Sequence, residues 1–115
     1  PNNKRLIKSR SGSLLEFDDT SGAAKVTVSM KSGHKLVLDD AALEVKLSHQ
    51  NGCVITFNAG GQIQIQANST VEITASAVNV HAGTATFDGI VNCTTLNASA
   101  AVVSPSYTPG AGNIW

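Results

Sequence analysis

Apolar and polar residues alternate in short runs along most of the chain. Val26 and Val28, then Leu36 and Leu38, then Leu43, Val45 and Leu47, then Cys53, Ile55 and Phe57 form the first set. Ile63 and Ile65, Val71 and Ile73, Val78 and Val80, and Ala85 and Phe87 continue it. A period of two is the mark of a strand with one buried face. No window sustains an i, i+3, i+4 pattern, so no long helix is predicted. Val26 to Leu36 and Cys53 to Ile63 each span ten residues, Ile63 to Val71 eight, and Val71 to Val78 and Val78 to Ala85 seven. A strand of about five residues and a tight corner fill such a repeat, with no room for a crossover helix.

The segments between the runs carry corner chemistry. Ser11-Gly12-Ser13, Asp18-Asp19-Thr20-Ser21-Gly22, Lys31-Ser32-Gly33-His34, Gln50-Asn51-Gly52 and Asn58-Ala59-Gly60-Gly61 interrupt the strands, and Asp39-Asp40 marks a further corner. Gly and Asn reach positive φ at little cost. Asn68-Ser69, Ala75-Ser76 and Ala82-Gly83 are tighter, uncharged corners. The resulting core stripe is only two or three side chains wide per strand. A single thin sheet of this kind buries too little apolar surface to offset chain entropy. It must curl on itself or be closed by partners, and three chains about an axis remove most free edges at once. The fold class expected is all-β: an intertwined homotrimeric β-helix or β-prism needle with short strands, tight turns and no long helix. A single-chain β-helix stays open on pattern alone.

Charge sharpens this picture. The 115 residues carry a formal net charge of zero, which argues against a nucleic-acid partner held by phosphate neutralisation. All Lys and Arg fall within residues 4–46, and only Glu72 and Asp88 are charged beyond Leu47. A stretch so poor in charge makes a poor monomer surface unless partner chains cover it or Asn, Gln, Ser and Thr solvate it. Aromatic residues are few, which suits a narrow core of repeated thin layers. Cys53 and Cys93 lie in no CxxC motif and are expected to be small buried apolar residues. No apolar run reaches the length of a membrane-spanning helix.

Several segments resemble a known family. The run Lys8-Ser9-Arg10-Ser11-Gly12-Ser13-Leu14-Leu15-Glu16-Phe17-Asp18-Asp19-Thr20-Ser21-Gly22 resembles the entry to the spike of phage baseplate assembly protein V and of the valine-glycine-repeat spike proteins of type VI secretion. Lys25-Val26-Thr27-Val28 and Ser32-Gly33-His34-Lys35-Leu36-Val37-Leu38-Asp39 are similar to that family's following strands. Gly60-Gly61-Gln62-Ile63-Gln64-Ile65-Gln66-Ala67 and Thr70-Val71-Glu72-Ile73-Thr74-Ala75 resemble its needle repeats, and residues 87–99 resemble the stretch near its tip. The order and spacing of these motifs carry the resemblance, which covers roughly residues 8–103. It implies a homotrimeric spike in the baseplate of a virion, pushed through a host outer membrane on sheath contraction. It also implies hub proteins as partners, reached through an N-terminal domain that this sequence lacks. The family's apical His-x-His iron motif is absent, because His34, His49 and His81 are isolated.

By this reading residues 1–10 are the junction to the hub-binding domain and residues 11–59 a charge-rich base. Residues 60–103 are a charge-poor shaft, and residues 104–115 a tail at or near the tip. The structural core expected is Val26, Val28, Leu36, Leu38, Ile55, Phe57, Ile63, Ile65, Val71, Ile73, Val78, Val80 and Phe87. Tyr107 and Trp115 either cap the open end of the core or meet lipid at the headgroup level. His81 is the one candidate axial metal ligand, weighed against a solvent-facing role; His34 and His49 read as surface residues. The pairs Asp18-Asp19 and Asp39-Asp40 could serve acid-base chemistry or calcium, but their turn positions favour capping of local amides. No Ser-His-Asp or Cys-His set can be argued, so no enzyme is expected. No cofactor is expected either, with ions on the trimer axis left open. The alternatives are a type VI secretion tip of the same fold, or a trimeric tail-fibre or adhesin stalk.

Overall fold

In the computed structural model, which describes residues 3–106, the chain forms one antiparallel meander. Its strands are β1 (Lys4–Lys8), β2 (Leu14–Asp18), β3 (Lys25–Ser29), β4 (Lys35–Asp39), β5 (Glu44–Ser48), β6 (Val54–Phe57) and β7 (Ile63–Gln66). Each strand pairs only with its neighbours in sequence, so the sheet order is β1-β2-β3-β4-β5-β6-β7 and both edges are open. No helix is present among the described residues. The architecture is therefore all-β, and β3 to β7 fall on the expected alternating runs. The strand β1 was not expected. Its sequence, KRLIK, mixes charge onto both faces and hides the period of two.

The hairpin turns explain why pairing is so local. Ser9 N–H donates to Ser13 O at 2.8 Å, and Gly12 N–H donates to Ser9 O at 3.2 Å. The same two bonds recur for Met30, Gly33 and His34, for His49, Gly52 and Cys53, and for Asn58, Gly61 and Gln62. Each is a three-residue loop whose last residue is a glycine at positive φ, the geometry that keeps flanking strands in twist-matched pairing. The other turns rely on carboxylates. Asp18 Oδ1 accepts from the Thr20 hydroxyl at 2.6 Å and from Thr20 N–H at 3.0 Å. Asp39 Oδ1 accepts from Ala42 N–H at 3.0 Å. Leu43 closes that turn at φ 53, a left-handed conformation that a leucine adopts only under constraint.

Beyond β7 the backbone behaves differently. The chain divides into two compact units, Pro1–Ala75 and Ser76–Trp115. Among the described residues, no strand and no backbone-to-backbone hydrogen bond within the chain occurs from Ala67 to Ser106. The runs around Val71 and Ile73, Val78 and Val80, and Ala85 and Phe87 are therefore not paired strands within this chain. The chain still bends at the expected corners, Asn68-Ser69, Ser76 and Gly83. It bends again at Asp88-Gly89, Thr94, Ser99-Ala100 and Pro105-Ser106.

Two outcomes test this account. Gly33 has φ +111, and a Cβ placed there would lie 3.2 Å from the Gln50 Cβ. Gly33→Ala is expected to destabilise the sheet by about 1–2 kcal/mol, whereas Gly60→Ala, in the same kind of loop but without positive φ, stays near neutral in chemical denaturation. The second concerns acid. Asp18 is the only buried residue among those described, and its carboxyl titrates below the ordinary value of 3.8. The Thr20 hydroxyl is the main cause and the Thr20 amide the next; desolvation opposes them, and Lys4 and Lys25 add further lowering. A depressed folded-state pKa makes a contribution that is full above the unfolded value and lost as pH falls through the folded one. Stability is thus expected to decline below roughly pH 4, and Asp18→Asn to flatten that acid limb in thermal melts.

Candidate functional site

Register turns the strand pattern into faces. Directly paired residues share a face, and neighbours along a strand point to opposite faces. One row across the sheet reads Ile7, Leu15, Val28, Leu36, Leu47, Ile55, Ile65. The row beside it on the same face reads Arg5, Phe17, Val26, Leu38, Val45, Phe57, Ile63. Every position but Arg5 is apolar. The opposite face carries rows such as Leu6, Glu16, Thr27, Val37, Lys46, Thr56, Gln64, which are mostly polar.

The apolar face is uncovered. Among the described residues no hydrophobic side chain is buried. Phe17 is 39 % exposed, Leu47 50 % and Ile65 62 %. At about 4.8 Å per strand the stripe runs on the order of 30 Å, longer than the scattered apolar exposure of ordinary monomer surfaces. A stripe of this kind marks a face built to be covered.

A further row of the same face lies at the ends of the strands. It places Met30, His34, His49 and Cys53 side by side across β3 to β6. The His34 and His49 rings stand 4.2 Å apart, tilted by 51°. Each ring accepts a backbone amide on Nδ1, from Gln50 and from Asn51 respectively, both at 3.2 Å. That leaves Nε2 carrying the proton in the neutral ring, the wrong tautomer for a metal held through Nε2. Among the described residues no group of three or more His, Cys, Asp or Glu is arranged to hold a metal ion. The two histidines lie fifteen positions apart, and only the β4–β5 register brings them together.

The expected core residues divide into two groups. Val26, Val28, Leu36, Leu38, Ile55, Phe57, Ile63 and Ile65 all lie on the apolar face. Val71, Ile73, Val78, Val80 and Phe87 lie in the unpaired stretch and are exposed in the single chain. His81 is exposed there as well. Tyr107 and Trp115 lie outside the described residues. Cys53 and Cys93 form no disulfide, but in the single chain Cys53 is only half-buried and Cys93 exposed, short of the burial expected. The Asp pairs act as turn caps, through Asp18 and Asp39.

No protein-family model and no curated protein matches the chain.

Ile55 and Thr56 test the faces directly, because they are neighbours that point opposite ways. If the apolar face is covered in the working state, Ile55→Asp costs on the order of 3 kcal/mol or more in chemical denaturation, since it buries a charge without a partner. Thr56→Asp, opposite Lys46, is expected to stay within about 0.5 kcal/mol of the parent.

Proposed function

We propose that the chain is the needle of a membrane-piercing spike from a contractile injection machine of the phage baseplate type, working as a homotrimer. One observation carries this reading: the stretch from Ala67 to Ser106 that has no backbone partner among the described residues and bends every five to seven residues. Backbone N–H and C=O groups are almost always paired once they are buried. A chain that exposes Val71, Ile73, Val78, Val80 and Phe87 and bends at regular intervals can bury those side chains and still pair its backbone by lying against strands from outside itself. Three copies winding about one axis supply those strands and bury the side chains together.

The sheet supports the same reading independently. Three one-sided sheets, apolar faces inward, form a prism whose core is the pair of rows described above. Such a body has many hydrogen bonds loaded in parallel and few free edges, as a force-bearing needle requires. The virtual absence of charge beyond Leu47 lowers the cost of entering a headgroup layer. The charge-rich stretch within residues 4–46 then serves as the base, and the charge-poor remainder leads. The trimer needs no cofactor, and hub proteins and the host outer membrane are its partners in this role.

Native mass by light scattering tests the premise. The expected value is three times the chain mass of 11.8 kDa, retained in mild SDS without boiling, with slow amide exchange across residues 70–103. A folded monomer with rapid exchange there would overturn the reading. A trimer that leaves lipid vesicles intact when driven against them would keep the assembly and remove the piercing role.

A further inference from the structure

Charge on the sheet is sorted by end. At the end of the strands where residues 9–13, 30–34 and 49–53 turn, the loops and strand termini carry Lys8, Arg10, Lys31 and Lys35 and no acid. At the other end Asp18, Asp19, Asp39, Asp40 and Glu44 face only Lys4 and Lys25. The strands are about 17 Å long, so one small sheet presents a basic rim and an acidic rim.

The geometry of the two rims is also matched. Turns at either rim recur every second strand, about 10 Å apart. The basic rim turns between β1 and β2, β3 and β4, and β5 and β6, and the acidic rim between β2 and β3, β4 and β5, and β6 and β7. When a second sheet is brought beside the first by rotation alone, the two sets of turns are half a repeat out of step. They interleave. The turn of residues 30–34 then falls level with β3 and β4 of its neighbour, between the turns of residues 19–24 and 40–43.

That place holds an open depression of about 530 Å³. Val26, Leu38 and Val45 give it an apolar lining, and Asp19 and Asp40 line it together with one cation, Lys25. Among the described residues no hydrogen bond engages the Asp19 or Asp40 carboxylate, in contrast to the turn-capping Asp18 and Asp39. An apolar lining whose carboxylates outnumber its one cation suits the stem and head of a lysine. Lys31 is exposed at the opposite rim, its stem beside the Gly12 turn.

We propose that Lys31 of one copy docks in the depression between Asp19 and Asp40 of the next copy, so that sheets join basic rim to acidic rim in head-to-tail order. This rests on the self-assembly proposed above and adds to it the contact that sets handedness of succession and axial register. Head-to-tail contacts of this kind close into a ring when the rotation permits. A second copy is the occupant because both halves of the complement, with the same spacing, are present on one chain. Interface charges of this sort act chiefly on specificity and association.

The test is a charge swap in the full chain, read by light scattering as the trimer regained on refolding from denaturant over a range of chain concentrations. Lys31→Glu and Asp40→Lys are each expected to raise the concentration needed for assembly about tenfold, and the double variant to return to within about threefold of the parent. The two single variants mixed together should assemble better than either alone. Lys31→Gln, which cannot repel, should assemble with a weaker dependence on salt between about 0.1 and 1 M than the parent. Single variants that assemble like the parent, a double variant no better than the worse single one, or an unchanged salt dependence in Lys31→Gln would each overturn the rim contact while the parent remains trimeric. A monomeric parent would instead overturn the assembly on which the contact rests.

Discussion

The structure depends on an apolar surface that its own chain does not cover. The row from Ile7 to Ile65 crosses all seven strands and the row from Phe17 to Ile63 crosses β2 to β7, and none of their side chains is buried. Burial of apolar area is the dominant favourable term in folding, and here a single chain leaves it mostly unused. Hydrogen bonds along the meander hold the strands in register, but a ladder of exchanged bonds contributes little net stability by itself. In the proposed trimer the sheet is one wall, and its stability is tied to the copies that stand against it.

That dependence explains features that would otherwise be liabilities. A long apolar stripe on a free monomer invites aggregation, and so do open strand edges. The edge strand β1 is guarded by Lys4, Arg5 and Lys8, whereas β7 carries no charge at all. The unguarded edge leads into the stretch whose backbone has no backbone partner among the described residues. In the proposed trimer the chain is charged where it stays exposed and bare of charge where strands of other copies join it. The separation of basic and acidic side chains to opposite strand ends follows the same logic, since a sheet that meets copies of itself side by side gains from carrying both signs.

Much of the local structure was legible along the chain. The alternation of Val26 and Val28 or Leu36 and Leu38 specifies a strand with one apolar face, because side chains on extended backbone alternate by geometry. Ser-Gly and Asn-Gly sites predicted the turns because few residues other than glycine hold positive φ without strain. Asp18 and Asp39 read correctly as turn caps, as short side chains that reach their own backbone do. The strand β1 escaped notice because Lys and Arg occupy positions on both of its faces. Residues 70–89 kept their corners but not their strands, since a bend is a local property and pairing needs a second strand at hand.

What no inspection of the chain order could supply is adjacency across the sheet. The ring contact of His34 with His49 exists because Lys35 pairs with Ser48, and a slip of one residue would send the two rings to opposite faces. The same register gathers eight of the expected core residues onto one continuous face and sets Asp19 and Asp40 around one depression. Composition and period, which depend only on near neighbours, were enough for an all-β chain of short strands with one apolar side. The order of the strands, the faces they share and the sorting of charge to two rims are long-range properties, settled by hydrogen-bond register between segments that are distant in the chain.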